Sequence, residues 1–221
     1  MKIKMIRKLL IPATLVVVLG GCASAIQDKY FDMWDAVGVE KREILVDRVE
    51  DAQETQQEAQ EEFASALDEF SALINFKGGE LEDVYNNLND KYESSRDAAT
   101  EVSNRINKVQ SVAESLFREW QDELELISNA NLKRDSEGKL RDTQRKYDSL
   151  LESMRRVESS MQPVLTSLRD NVLYLKHNLN ANAVGALQGE FTTIKRDVDL
   201  LIKEMNSAIS QSDDFIKSLK S

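Results

Sequence analysis

Reactive side chains are scarce in this chain, which contains one cysteine, Cys22, and one histidine, His177. Because Tyr174 stands three positions before His177, the Glu-x-x-His pair of di-iron bundles is absent. Zinc sites need several cysteine or histidine ligands, and no strand-turn-helix serine elbow accompanies the histidine. Acidic pairs such as Asp213-Asp214 lack the glycine-containing loop of an EF-hand. We therefore expect no catalytic, cofactor-binding or metal-binding residues, and a protein that is not an enzyme.

Cys22 is the one reactive residue whose surroundings predict a modification. An apolar run over residues 9–19 follows four cations, as in a secretory signal. The cations are Lys2, Lys4, Arg7 and Lys8. The run is well short of the ~20 apolar residues that span a bilayer, and Pro12 interrupts it. The sequence Leu19-Gly20-Gly21-Cys22 resembles the lipobox of bacterial lipoproteins, which implies removal of residues 1–21 and acylation of Cys22.

The lipobox resemblance also implies a location. In such lipoproteins an Asp directly after the acylated cysteine favours the inner membrane, whereas Ala23 and Ser24 stand here. The resemblance therefore favours the periplasmic face of the outer membrane, to which the protein would bind through its N-terminal lipid. Several acyl chains, such as palmitate, on one residue anchor a protein durably. A single cysteine cannot form an intrachain disulfide, so acylation also accounts for its presence in an oxidising compartment.

Composition predicts long helices and excludes nucleic-acid binding. Charged residues make up 31% of the chain and aromatic residues 6%, with only two prolines and eight glycines to break helices. Without the four signal cations, 25 basic residues face 39 acidic ones, a net charge of −14. Such a surface repels nucleic acid and phosphate-rich lipid faces, because phosphate binding depends on clustered Lys and Arg.

The mature chain divides into two parts. Residues 22–38 are predicted to form the lipidated N-terminus and a short linker helix, whose Tyr30, Phe31 and Trp34 suit either the membrane interface or the end of a bundle core. Residues 39–221 are predicted to form the bundle domain. We expect an all-α fold, an elongated antiparallel bundle of three or four long helices with coiled-coil seams.

Four heptad seams carry this prediction. The first runs from Leu45 to Leu73 and includes Gln56 and three small residues. These are Ala52, Ala59 and Ala66. The other seams run from Leu81 to Ile127, from Leu140 to Leu175 and from Leu187 to Leu219. A heptad pattern fits a seam closed within one chain and one closed in a homo-oligomer equally well.

The turns between seams are predicted at residues 75–79, 128–131 and 176–183. Glycine suits the first, and Asn and Ser side chains are expected to cap the helix ends at the second. The third, Lys176–Ala183, alternates asparagines and suits either a turn held by side-chain-to-backbone hydrogen bonds or a partner-docking loop. The basic third helix is expected to pair with the acidic first two helices, and Pro163 is expected to kink it without ending it.

Three stretches are similar to an uncharacterised family of Gram-negative lipoproteins that is classed only as a domain of unknown function. They are Gly38–Glu43, Phe76–Asp83 and Leu175–Asn180. The resemblance covers nearly the whole mature chain and implies a helical envelope protein, but it supplies no activity and no functional residues.

These features predict a lipid-anchored periplasmic protein with a structural or adaptor role and an envelope protein as partner. One alternative is a holdase-like binding module that opens its alanine-rich first seam to shelter an apolar client. A second is a membrane-active helical bundle, although no later apolar run approaches the length of a span.

Overall fold

The computed structural model describes residues 41–76, 78 and 81–220, and this part of the chain forms four helices with no strand. They are α1 (Lys41–Ile74), α2 (Leu81–Leu126), α3 (Ala130–His177) and α4 (Ala181–Lys220). The predicted all-α class is therefore confirmed, with four long helices. The predicted signal peptide, the lipidation site Cys22 and the linker over 22–38 lie outside the described residues.

The four helices form a bundle in which each packs against two others. The neighbouring pairs are α1 with α2, α2 with α3, α3 with α4, and α4 with α1. Ion pairs show that α1 and α2 are antiparallel, since Lys41 bonds Glu119 whereas Glu62, further along α1, bonds Lys91. Short connections between successive helices enforce the same alternation around the bundle, so the order is up-down-up-down.

The bundle has two ends that matter for function. The Lys41 end holds the start of α1, the α2–α3 turn and the end of α4. The far end holds the α1–α2 turn and the α3–α4 turn. Because α1 contains 34 residues, its two ends are about 51 Å apart at 1.5 Å per residue.

The heptad seams form the core, as predicted. Every seam residue of α1, including Gln56, is at most 1% exposed. The two aromatic layers at that helix are filled by Phe63 and Phe70, and Phe70 stacks on Phe191 of α4 with ring centroids 5.9 Å apart. The seams therefore close within one chain in this fold, and burying these stripes is what stabilises helices of such length.

Six predicted seam positions of α2 are only half-buried, namely Leu81, Tyr85, Tyr92, Leu116, Trp120 and Ile127. Near the Lys41 end, Phe117 is buried whereas the predicted Leu116 is only half-buried. Trp120 is also half-buried, and its indole donates a 2.9 Å hydrogen bond to the Ser136 hydroxyl of α3. Leu124, the predicted seam position after Trp120, is buried again, so the change from Leu116 to Phe117 is local to this part of the helix.

Asparagine side chains define both three-residue turns, as expected. Asn129 caps α3 by accepting hydrogen bonds from the backbone N–H groups of Asn131 (3.0 Å) and Leu132 (3.2 Å). Asn180 caps α4 in the same way, and the Asn178 amide donates to the carbonyl of Tyr174 at the end of α3. These bonds satisfy two of the orphan backbone N–H groups at the start of α3 and two at the start of α4.

The expected charge pairing between α3 and the first two helices is largely wrong. In the described part of the chain, most ion pairs of α3 join residues within this helix, such as Arg156 with Glu152 and Lys139 with Asp135. Lys133 is the exception, since it reaches Glu125 of α2 at 3.2 Å. Acids three or four residues away are simply closer than those of a neighbouring helix. Pro163 lies inside α3, which continues through it.

Candidate functional site

The reactive residues of the sequence do not converge on a site in the described structure. His177 is the last residue of α3 and is exposed at the far end. Asp213 accepts a 2.8 Å hydrogen bond from Gln53 of α1. Among the residues that the structure describes, no group of three or more His, Cys, Asp or Glu side chains is placed to hold a metal ion. Cys22, the predicted lipidation site, lies outside them.

The most connected polar cluster lies on the surface between α2 and α3. The Arg155 guanidinium donates 2.8 Å hydrogen bonds to Glu158 on its own helix and to Asn107 and Gln110 on α2. Burial acts to raise the pKa of Glu158, but hydrogen bonds from Arg155 and the Ser103 hydroxyl outweigh it and lower that pKa. All these groups have protein partners, so the cluster aligns two helices and offers no free group for catalysis.

A groove between α2 and α3 contains two arginines. Arg96 and Arg169 line it together with Tyr92, Gln162 and Thr166. Two guanidinium groups in one groove suggest an anion site, but Arg96 pairs with Glu93 and Asp97, and Arg169 pairs with Asp170. The local acids neutralise both cations. The groove therefore lacks the excess positive charge that phosphate binding requires.

Two buried polar side chains lack partners in the part of the chain that the structure describes. Neither side-chain polar atom of Gln56 has a hydrogen-bond partner, although the residue is 0% exposed. The Tyr147 hydroxyl is likewise unpartnered, and its ring packs edge-on against Phe117 at 5.3 Å. Burial, followed by the charges of Glu114 and Asp148, raises the pKa of Tyr147. Both groups weaken the core locally.

Large apolar side chains stand in solvent mainly at the two ends of the bundle. At the far end, Leu173 is 50% exposed, and Tyr174 and Leu179 are each 41% exposed. Their neighbours Val172 and Leu175 are buried in the seam, so Leu173 and Tyr174 lie on the outer face of α3. Exposed leucine and tyrosine side chains grouped at one place are typical of a contact surface.

At the Lys41 end the exposed apolar residues belong to the α2–α3 turn. Leu126, the last residue of α2, and Leu132, in the first turn of α3, are 82% and 61% exposed. Among residues 41–76, 78 and 81–220, one further large apolar side chain is exposed, namely Leu200 on the outer face of α4, at 52%. The bundle thus presents apolar groups at both ends, separated by the length of the helices.

Sequence reasoning missed these exposed residues because it followed the seams. Leu126, Leu132, Leu173 and Leu200 are all apolar residues that fall between heptad positions. An apolar residue outside a heptad seam is the signal that identifies them. Of Lys176–Ala183, which suited either a hydrogen-bonded turn or a docking loop, residues 178–180 form a hydrogen-bonded turn that contains exposed Leu179, and the remaining residues belong to α3 and α4. The docking role stays a prediction.

None of the described helices combines the length and the apolar character needed to cross a bilayer. Comparison with curated proteins finds no match for this chain. A family model described as "Protein of unknown function (DUF2959)" matches residues 30–219, which include all but the last residue of the four helices. The chain therefore belongs to the DUF2959 family of proteins of unknown function.

Proposed function

We propose that this protein is a non-catalytic structural or adaptor protein of the bacterial cell envelope, anchored by acyl chains on Cys22 to the periplasmic face of the outer membrane. The signal-like segment and the Leu19–Cys22 sequence support the anchor. The long bundle and its exposed apolar ends support a role in holding or recruiting another envelope component.

One observation carries the proposal, namely the position at which the chain enters the bundle. The chain that follows Cys22 enters at Lys41, and α1 then runs about 51 Å to the far end. A lipid on Cys22 therefore attaches the bundle by its Lys41 end. The far end, with Leu173, Tyr174 and Leu179, is the end of the bundle opposite the attachment point, and it is the surface that we assign to a partner in the periplasm.

The partner is an envelope protein with a complementary apolar surface. Tyrosine is enriched at the centre of protein interfaces, where its ring supplies area and its hydroxyl supplies a hydrogen bond. The net charge of −14 on the mature chain argues against an acidic or nucleic-acid partner.

Photocrosslinking in intact cells tests this role. A photoreactive residue placed at Tyr174 or Leu179 should give one discrete crosslinked product with an envelope protein. The same residue at Leu200, which is similarly exposed but lies away from both turns, serves as the matched control. Recovery of the free monomer alone from the far-end positions, or equal crosslinking from Leu200, would count against the proposal.

A holdase is the second candidate, because the α1 seam contains three alanines and a glutamine without a hydrogen-bond partner among the described residues. Its small residues Ala52, Ala59 and Ala66 bury little area per turn, and Gln56 is buried without a partner. An α1 that separates from the bundle would expose an apolar groove to a client. The holdase role predicts suppression of client aggregation and binding of a hydrophobic dye by the purified protein, and it fails if neither is observed.

A further inference from the structure

The tip of the α2–α3 hairpin differs in chemistry from the rest of the chain. Its seven residues 126–132, referred to here as the hairpin tip, contain no charged side chain, although charged residues make up 31% of the sequence. The flanking residues Glu125 and Lys133 neutralise each other in a 3.2 Å ion pair. An acidic protein thus ends, at this point, in a surface without net charge.

The hairpin tip also carries the two most exposed of the large apolar side chains in the described part of the chain. These are Leu126 at 82% and Leu132 at 61% exposed. The Asn129 side-chain oxygen accepts hydrogen bonds from the backbone N–H groups of Asn131 and Leu132. The Asn129 backbone carbonyl accepts a 2.9 Å hydrogen bond from the Lys133 backbone N–H. These three donors are satisfied internally, which lowers the cost of moving this part of the tip out of water. The other polar groups of the tip stay hydrated in a contact that reaches only the membrane interface.

The hairpin tip lies at the end of the bundle to which Cys22 is tethered. Lys41 pairs with Glu119, seven residues before Leu126, so the tip extends about 10 Å beyond the start of α1. Residues 23–40 join Cys22 to Lys41, and eighteen residues can span up to about 60 Å. The tether is therefore long enough to let the tip reach the membrane that holds the lipid.

We propose that the hairpin tip is a second membrane contact, in which Leu126 and Leu132 enter the interface of the bilayer that holds the acyl chains of Cys22. This inference depends on the proposed lipid anchor. Two leucines alone bind a membrane weakly, but a tether of eighteen residues keeps the tip at high effective concentration near the surface. With two attachments the bundle stands upright, and its far end points away from the membrane.

A lipid surface fits the hairpin tip better than a second copy of the chain does. Two leucines on each of two tips bury far less than the ~1,000 Å² that a stable protein interface requires. The acidic bundle is repelled by anionic headgroups, whereas an uncharged tip is not. The contact is therefore expected on zwitterionic phosphatidylcholine vesicles without any need for anionic lipid.

The test uses the lipidated full-length protein purified from membranes and reconstituted in phosphatidylcholine vesicles. Because Cys22 is the only native cysteine, an acylated wild-type chain takes up no thiol-reactive fluorophore. Single variants Leu132→Cys, Leu200→Cys and Leu179→Cys then carry one label each. A nitroxide quencher attached to the lipid should quench the label at 132 and leave the labels at 200 and 179 unquenched.

A second pair of variants separates a specific contact from general apolar adsorption. A label at Ile127→Cys should be quenched by the lipid-borne nitroxide, and Leu126→Ser with Leu132→Ser should abolish that quenching. The matched control, Leu173→Ser with Leu200→Ser, removes two leucines of about 50% exposure and should leave it unchanged. Loss of quenching in the control as well would overturn the assignment.

Three other outcomes distinguish a failure of the lipid anchor from a failure of the membrane contact at the hairpin tip. Label uptake by wild-type Cys22 means that the lipid anchor itself is absent, so the proposed function fails first. If the wild-type chain takes no label and floats with vesicles, but the labels on the Leu132→Cys and Leu200→Cys variants are equally unquenched, the proposed membrane contact of the hairpin tip is overturned and the lipid anchor is not. If the label at residue 132 becomes less accessible to solvent as the protein density on the vesicles increases, but is not quenched by the lipid-borne nitroxide, the tip contacts a second copy of the chain instead of the membrane.

Discussion

Replacement of Gln56 by leucine is expected to stabilise the bundle. Gln56 is completely buried in the seam of α1, and neither its amide nitrogen nor its amide oxygen has a protein partner in the described part of the chain. A buried polar group without a partner costs about 1–3 kcal/mol. Leucine is of similar size, has no polar atoms and supplies apolar contacts in the same layer.

The expected gain for Gln56→Leu is about 1–3 kcal/mol in the free energy of unfolding, since the removed penalty sets the scale. For a chain of this length, that corresponds to an increase in Tm of about 2–4 °C per kcal/mol. Urea unfolding followed by circular dichroism, on a mature chain with Cys22→Ser, measures the change directly. The midpoint should increase without a change in m-value.

The neighbouring Gln57 provides a matched control, because it is exposed on the same helix. Gln57→Leu should change stability by less than about 0.5 kcal/mol. If Gln56→Leu instead lowers the stability by 1 kcal/mol or more, the amide of Gln56 has partners in solution, and the reasoning about a weak point in α1 is refuted. The holdase alternative would then lose its main support.

Three further predictions concern the core and the helix ends. Tyr147→Phe should be neutral or slightly stabilising at pH 7, because the hydroxyl that it removes has no partner within the part of the chain that the structure describes. Above about pH 10 the Tyr147 phenol ionises in the unfolded chain before it does in the folded chain, which lowers the free energy of unfolding, and the variant should lack this part of the loss. Urea midpoints at pH 8 and pH 11 measure the difference. Gly138→Ala should add about 0.5–1 kcal/mol, because nothing lies within 4 Å of a Cβ added there, whereas Gly78→Ala should destabilise, because Gly78 has φ +136°; thermal unfolding of both variants measures the contrast. Asn180→Ala should cost about 0.5–2 kcal/mol through loss of the α4 cap, with the exposed Asn182→Ala as a near-neutral control in the same assay.

Much of the fold could be predicted because the heptad pattern is long and regular. The α1 seam from Leu45 to Leu73 alternates steps of three and four residues without a slip, and all of it is buried. Asn129 and Asn180 mark turns because their side chains compete for backbone hydrogen bonds, which is a local property. Such local rules do not decide whether a seam closes within one chain or between chains. That depends on how the four helices pack around one core.

Charge pairing was harder to predict because it depends on which helices become neighbours. α1 packs against α2 and α4, so its acids meet Lys91 and Lys220 rather than the cations of α3. The exposed groups at the two ends were missed for a different reason. The prediction of the core followed the heptad seams, which exclude Leu126 and Leu173, although the predicted antiparallel order already implies that these two residues lie at opposite ends of the bundle.

The lipid anchor on Cys22 is tested most directly by the intact mass and the membrane partition of the protein isolated from cells, each compared with those of the Cys22→Ser variant. We expect the wild-type chain to begin at Cys22, to carry acyl chains on the thiol and the amine, and to fractionate with the outer membrane. The serine variant should lack acyl chains and should not be held in the lipid fraction. An unmodified Cys22 in the wild-type chain, or a serine variant that stays equally bound to the lipid fraction, would contradict the account.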